Sequence, residues 1–391
     1  MPRSSSPTTL APILDEREVV QKLRQFLPPG GAQWYSFYSS VLGGIVINPH
    51  LFLVPLDDHL VHRGHAVFDT CNVVAGKAYG LDFHLDRLLR NATLARIEHP
   101  WCKEDLREII LKTIAASGKR CDVMAKFFMS VGRGNFSISP QGCTAATLYV
   151  LVHEYKRGVH GVKEWVVEPS VVPLKPPLLA TVKSTNYMLN ALVSMTAQDN
   201  GGTLGIQCDE SGYVTECSIG NLAIVDQGGV LRTPKFDNIL AGTTVKRTFV
   251  LAPKLLQAGL IEGFEFGAIH VSELLEAREV ISCGGGFLTP IIAVNNKEVG
   301  DGTPGPVYKA MFTVIAKDME TPEYLDDIPY QSYMGERETK ARSACYGESK
   351  LKDGDTRDEV AEDEGSFYIY LYAAVGSAAL MAAFLAGRVT R

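Results

Sequence analysis

A chain of 391 residues is more than one minimal domain needs and points to two or three. Its 38 Lys+Arg against 44 Asp+Glu leave a formal charge of -6, which excludes a nucleic-acid partner, since that calls for a basic face. With 46% hydrophobic and 21% charged residues, disorder over most of the length is excluded as well. The 8 cysteines are scattered without a CxxC pair, so neither a metal site nor a disulfide framework is assigned.

Residues 1–34 read as an N-terminal extension. Met1 to Arg17 has no apolar run, which excludes a secretory signal, and only Arg3 and Ser4 to Ser6 lean toward an organelle presequence. Residues 35–170 read as a small α+β domain. Trp34 to Asn48 and Leu51 to Pro55 are β-rich, and Ala66 to Tyr79 has the pattern of a hairpin turning at Ala75-Gly76. Leu85, Leu88, Leu89, Ala92 and Ala95 recur at helical spacing, and Glu104 to Ser117 predicts a helix stopped by Gly118. Strands near Val123 to Val131 and Ala145 to Tyr155 complete the unit. The Pro-rich VPLKPPL, Val172 to Leu178, cannot continue a helix and reads as the link to a larger α+β domain, 171–317. There Ser184 to Gln198 predicts an amphipathic helix with Tyr187, Met188, Ala191, Leu192 and Met195 on its apolar face. Hairpins turn at Ser211-Gly212 and Gly228-Gly229, and Thr244 to Leu256 predicts a helix ended by Gly259.

Residues 318–366 are crowded with Asp, Glu and Lys and read as an acidic flexible linker. Phe367 to Gly387 then carries no charge, and its length suits a ~30 Å hydrocarbon core. It opens on Tyr368, Tyr370 and Tyr372 and is followed by Arg388 and Arg391. A C-terminal hydrophobic helix anchoring the chain in a membrane, with the body in the cytosol, is predicted. The alternative is a packed helix on a soluble cytosolic or organellar protein.

The sharpest chemical feature is Lys183, in LLATVKSTNYML, where an apolar run meets a helix capped at Ser184 or Thr185. The helix dipole disfavours a cation there, which lowers the amine's pKa and suits a Schiff-base nucleophile. Taken alone, a solvated lysine is the alternative. Glu216, in SGYVTECSIGN, is placed to pair with a protonated ring nitrogen, or is a surface strand residue. Leu240 to Thr244, LAGTT, leads into a helix and makes either a phosphate seat of backbone N–H groups or an ordinary cap. Arg87, in HLDRLLR, can give that phosphate a bidentate partner, and Cys283 to Gly286 allows close backbone approach.

Five stretches in order, HRGHAVFDT (His62 to Thr70), HLDR (His84 to Arg87), TVKSTNY (Thr181 to Tyr187), YVTECSIGN (Tyr213 to Asn221) and ILAGTTVKR (Ile239 to Arg247), resemble the fold-type IV, or class IV, pyridoxal-phosphate aminotransferases. That family holds branched-chain aminotransferases, D-amino-acid transaminases and aminodeoxychorismate lyases, and the likeness spans about residues 35 to 315. DDHLVHRGHAVFDT, SVGRGNFSISPQGC and PLKPPLLATVKSTNY are similar to its plant and algal D-amino-acid transaminase-like branch.

The resemblance implies pyridoxal 5′-phosphate as cofactor, an amino acid and a 2-oxo acid as substrates, and a homodimer. It implies that Lys183 forms the Schiff base and shuttles a proton. Arg87, Thr243, Thr244 and the backbone at Gly284 would hold the phosphate, and Glu216 the pyridine nitrogen. Tyr187 and Asn221 would pack near the cofactor. The Arg and His with which bacterial D-amino-acid transaminases grip the substrate carboxylate are replaced by Ser137, Ile138 and Ser139, which leaves Arg133 or backbone donors. Val61 stands where the family often has an aromatic substrate contact. The reading is an α+β, two-domain aminotransferase, D-amino acids favoured and branched-chain L-amino acids the alternative. A lyase with shared chemistry, or a non-catalytic membrane-tethered scaffold, are the others.

Overall fold

The computed structural model describes residues 11–25, 33–155 and 161–333. Helix α1 (Glu16–Arg24) opens on a capping box in which Asp15 and Glu18 satisfy each other's backbone N–H groups. Then come β1 (Trp34–Ser39), β2 (Gly44–Val46), the single turn α2 (His59–His62), β3 (Ala66–Val74) and β4 (Lys77–Tyr79). Next are α3 (Leu81–Leu94), α4 (Lys103–Ser117), β5 (Val123–Ser130) and β6 (Thr147–Glu154). The β3–β4 hairpin turns at Ala75 and Gly76, whose φ of 49° and 81° give the primed turn that matches strand twist. Gly118, at φ 67°, ends α4 as its pattern predicts. Leu81, Leu85, Leu88 and Ala92 of α3 recur at helical spacing and are buried in one core with Phe127 and Met129 of β5. Residues 51–55 are not a strand: Pro49 starts a 3-10 turn over Pro49–Leu51 and irregular chain follows.

The second half holds β7 (Val162–Glu164), β8 (Val166–Val167), α5 (Pro177–Thr181), α6 (Met188–Asp199), β9 (Ile206–Cys208) and β10 (Val214–Cys217). It continues with β11 (Asn221–Val225), β12 (Val230–Thr233), α7 (Thr243–Gln257), β13 (Gly263–Phe266) and α8 (Val271–Glu276). It closes with β14 (Glu279–Gly284), β15 (Phe287–Val294), β16 (Lys297–Glu298), α9 (Pro306–Asp318) and β17 (Leu325–Asp327). The first sheet has the order β17-β4-β3-β5-β6-β1-β2. A second runs β13-β12-β11-β14-β15-β16 with β7 paired to β15, and a small third runs β10-β9-β8.

Further features differ from the sequence-based expectations. Residues 161–170 do not belong with the first half, because β7 pairs with β15 and β8 with β9. VPLKPPL is therefore not the link between domains but lies inside the second half. Helix α6 starts at Met188 rather than Ser184, and buries Asn190, Val193 and Ala197. Its apolar face is turned outward instead, with Met188 74% and Met195 57% exposed. The Asn190 amide donates to the Ser218 carbonyl, and that contact, with Val193 packed beside Val167 and Val172, overrides the apolar periodicity. Lastly, the linker does not begin at 318: β17 pairs with β4, Asp326 meets Arg107, and the Tyr330 hydroxyl donates to the Lys119 carbonyl at 2.6 Å.

Residues 334–366 of that linker and the charge-free stretch 367–387 lie outside the described residues. Among the described residues no helix is long and apolar enough to cross a membrane.

Asp58 fastens the chain ahead of β3 to the strands beside it. Its buried carboxylate accepts from the hydroxyls of Ser130 and Thr147 at 2.6 Å, from Tyr149 at 2.7 Å and from Leu60 N–H at 2.9 Å. Asp58→Ala orphans three hydroxyls in the interior and should cost about 3 kcal/mol, read as a lower denaturant midpoint. Asp58→Asn, which keeps one acceptor oxygen, should lose less.

Candidate active site

Lys183 lies on extended chain between α5 and α6, stitched to β3. The Lys183 carbonyl accepts from Phe68 N–H at 2.9 Å, and Thr185 N–H donates to the Ala66 carbonyl at 2.9 Å. Because α6 begins only at Met188, a helix N-terminus is not what acts on the lysine. Burial is the first cause and the Arg87 charge the second, and together they bring the amine from 10.5 to about 8, against the pull of Asp69 and Glu216. The Nζ group donates to the Tyr187 hydroxyl at 3.4 Å and stands 4.6 Å from the centre of the Phe68 ring. Tyr187 is the cap residue of α6, and burial raises its phenol pKa.

Glu216 ends near the same ring. It sits on β10 at 7% exposure, where burial pushes its carboxyl up and Lys175 opposes the shift. Its Oε2 accepts from Leu240 N–H at 3.3 Å and its Oε1 is 3.6 Å from Lys175 Nζ. Asn221 is buried at the head of β11 and donates to the Leu240 carbonyl at 2.8 Å. The Leu240 peptide is thus held at both ends. A Cβ on Gly242 would come within 2.0 Å of Asn221 Oδ1, so only glycine fits there. Asn221 therefore shapes the loop that enters α7.

Arg87 on α3 is turned inward, its side chain 11% exposed. Its Nε and Nη2 each donate to Asp69 at 2.7 Å, and His84 Nδ1 lies 2.9 Å from the same carboxylate. Burial alone would raise Asp69, but Arg87 and His84 hold it well below the usual carboxylate range. Next to His84, one cavity is lined by Thr243 and Thr244 at the start of α7 and by Gly286. The opening N–H groups of a helix have no partner within it, and they favour an anion. The Thr244 hydroxyl accepts from Gly286 N–H at 2.9 Å, which ties the glycine turn to the helix. Gly284 lets β14 approach the turn after Glu216, since a Cβ there would lie 3.1 Å from the Ile219 carbonyl oxygen.

Lys183, Tyr187, Glu216 and Arg87 therefore share one electrostatic neighbourhood, with Thr243, Thr244 and the Gly284 turn along its border. Arg133 and Val61 stand apart from it. The Arg133 guanidinium is half exposed and taken up by Asp57, through Nε and Nη2 at 2.9 Å, while Val61 is 45% exposed on α2. Among the described residues no contact joins either to Lys183. Residues that sequence reasoning passes over are Asp69, His84, Phe68, Lys126 and Lys175. Three of them stand inside the quoted stretches FDT and HLDR, but their pairing runs between a strand and a helix. Lys126 on β5 lies 4.9 Å from the Phe68 ring centre, its pKa lowered by burial. A larger groove of about 1200 Å³, lined by His65, Arg96, His99, Gln141 and Cys143 among others, holds none of these charged groups apart from its own.

A lysine at about 8 is half neutral at pH 8, whereas an ordinary one is below 1% neutral there. In cofactor-free protein the rate at which an amine reagent modifies Lys183, followed by peptide mass, should rise with a midpoint near pH 8. A midpoint above 10 would show that burial does not act on the amine.

Residues 66–294 match the family model described as amino-transferase class IV. The chain is 38% identical over 331 residues to the chloroplastic D-amino-acid transaminase of Arabidopsis thaliana, covering 84% of this chain and 88% of that one. Its fold matches a branched-chain amino acid aminotransferase of Escherichia coli with a TM-score of 0.67 at 22% identity, over 76% of this chain and 100% of that chain. It also matches a T.th. branched-chain amino acid aminotransferase complexed with N-(5′-phosphopyridoxyl)-L-glutamate, with a TM-score of 0.65 at 23% identity, over 76% and 99%. The chain belongs to the class IV aminotransferases and is a pyridoxal-phosphate-dependent transaminase.

Proposed function

We propose that this transaminase moves the amino group of a D-amino acid to a 2-oxo acid, with Lys183 as its catalytic amine. The chemistry of the donor set fits pyridoxal phosphate. There is one amine poised near neutrality, one buried carboxylate for a ring N–H, and one cation beside a helix N-terminus for a phosphate. What carries the reading is Lys183, whose burial beside Arg87 suits no structural purpose but suits a nucleophile. The D-amino-acid preference rests on the 38% identity to the D-amino-acid transaminase.

When bound, the cofactor supplies an aldehyde that takes up the amino group and a ring that spreads the electron pair left at Cα. The protein's part follows from its own groups. Lys183, as a neutral amine, would be the group that holds the cofactor covalently, and when free its Nζ would be placed to accept and give back a proton. The Tyr187 hydroxyl, 3.4 Å from Nζ, keeps the amine aimed. Glu216 as an anion would hold the proton of the ring nitrogen. Arg87, oriented by Asp69, would hold the phosphate together with the first N–H groups of α7. Phe68 and Tyr187, in edge contact at 5.3 Å between centroids, keep water from the amine.

Lys183→Ala should lower turnover by roughly a thousandfold or more while the melting temperature holds. Borohydride reduction of the loaded wild-type protein should fix the cofactor on the peptide carrying Lys183, and on no peptide of the variant. Offered a panel of amino acids with a 2-oxo acid, the enzyme should consume D-amino acids faster than their L-forms. Turnover confined to branched-chain L-amino acids overturns the preference. Loss of amino acid without matching use of the 2-oxo acid indicates the lyase reaction instead.

A homodimer is part of the same reading. Leu42, Leu56, Phe136 and Ile138 are 62%, 72%, 50% and 82% exposed on the first half, which suits burial against a second copy. Sedimentation of the purified full chain should give twice its mass, and a fully active monomer would rule the dimer out.

A further inference from the structure

Lys175 reaches the site from a segment whose composition suggests only a linker. Its side chain is 8% exposed, and the carboxylate it meets is Glu216, at 3.6 Å. Its Nζ also stands 5.2 Å from the centre of the Tyr187 ring, and Lys183 stands 5.7 Å from the same ring. The backbone that delivers it is stiff. Pro173, Pro176 and Pro177 flank it, and a residue before proline is held extended, so the lysine is placed with little further loss of chain freedom.

A carboxylate this deeply buried drifts toward its neutral acid, and burial does raise Glu216. A neutral acid offers a ring N–H no charge. Three groups oppose the drift: the Lys175 ammonium beside Oε1, Leu240 N–H on Oε2 and the charge of Lys183. Each oxygen keeps a lone pair, so both contacts can persist while a third donor approaches.

We propose that Lys175 is a positioning residue, which keeps Glu216 ionised and aimed so that it can hold the ring nitrogen of the cofactor. The proposal rests on the assignment of Glu216 to that nitrogen. Glu216 is faced by Lys175, Lys183, Tyr187 and the neighbouring Cys217 thiol. Of these, Lys175 has its charge beside the carboxylate, 3.6 Å from Oε1, and opposes its protonation most. Without it the carboxyl protonates at higher pH, so a loss of cofactor affinity should deepen as pH falls.

The test is titration of the cofactor-free full chain with pyridoxal phosphate, followed by tryptophan fluorescence, for the wild type and for Lys175→Met, Lys175→Arg, Glu216→Gln and the double variant Lys175→Met/Glu216→Gln. Lys175→Met should weaken binding roughly tenfold at pH 8 and more at pH 6, relative to wild type at each pH. Lys175→Arg, which restores the charge, should recover most of it. In the Glu216→Gln background, Lys175→Met should cost almost nothing further, and its extra pH dependence should vanish. Equal losses in both backgrounds would mean that Lys175 acts on the cofactor or on the fold directly, and would overturn the proposal. So would wild-type affinity in Lys175→Met, or borohydride trapping of the cofactor on Lys175 itself. If Glu216→Gln alone binds like the wild type, the assignment of Glu216 fails, and that outcome is separate from any behaviour of Lys175. Should Lys175→Met not fold, Lys175→Gln is read in the same cycle.

Discussion

The structure depends on keeping charge inside a body that disfavours it. Lys183 is buried beside a second cation, and left to itself it would shed its proton or drag water inward. The chain answers with two internal pairs, Arg87 with Asp69 and Lys175 with Glu216. With Lys183, Lys126 and His84 counted as well, five basic groups face two carboxylates. That excess of basic groups in a largely enclosed place favours an anionic occupant. Removing either carboxylate would leave a cation buried without a partner, which is costlier than losing the attraction itself.

Such a site needs its walls fixed to one another, and the end of α9 with the segment that follows it does this. Asp318 accepts from Tyr79 at the end of β4 and from Arg247 on α7, whose Nε is 2.7 Å away. Arg247 in turn stacks at 4.1 Å over Tyr324, just before β17 extends the first sheet. The helix that presents Thr243 and Thr244 is thereby tied to the sheet whose Asp69 holds Arg87 of α3. A shift of the start of α7 against Arg87 would break a buried ion pair and a strand pairing together, so the two are held in register.

Local signals explain which parts are legible in the sequence. Hairpin turns at Ala75-Gly76, Ser211-Gly212 and Gly228-Gly229, and helix stops at Gly118 and Gly259, depend on backbone geometry that one or two residues settle. Lys183, Glu216 and Arg87 are readable because each stands in a short stretch of recognisable order. Their partners are not. Asp69 and Arg87 meet across a strand and a helix, and Lys175 meets Glu216 only after the chain has folded back on itself. Proline content marks 172–178 as a linker because composition reports stiffness and not destination. The face of α6 defies its pattern for a similar reason, since the hydrogen bond from the Asn190 side chain to the Ser218 carbonyl, with Val193 packed beside Val167 and Val172, outweighs the apolar stripe. For 318–333 the acidic composition suggests a solvated tether, yet Asp318, Asp326 and Asp327 are the residues that pair it to Arg247, Arg107 and Lys77.

The missing first turn of α6 has the most to say about how the amine is placed. A helix from Ser184 would bend the chain after Lys183 and spend its backbone groups on itself. Instead β3 takes them: Val67 bridges Ser184, and the hydrogen bonds from Phe68 and Thr185 hold the lysine's own peptide in line with the strand. Successive residues of one strand then serve the whole site. Val67 seats the lysine segment, the Phe68 ring lies under its Nζ, and Asp69 grips Arg87. A strand is rigid along its length and its side chains alternate in direction, so amine and cation stand at a separation set by backbone geometry rather than by flexible loops. A one-residue slip of β3 against β5 would move both at once and turn Asp69 away from Arg87. The precision of the site is therefore a property of one buried strand, and helix propensity at Ser184 gives way to it.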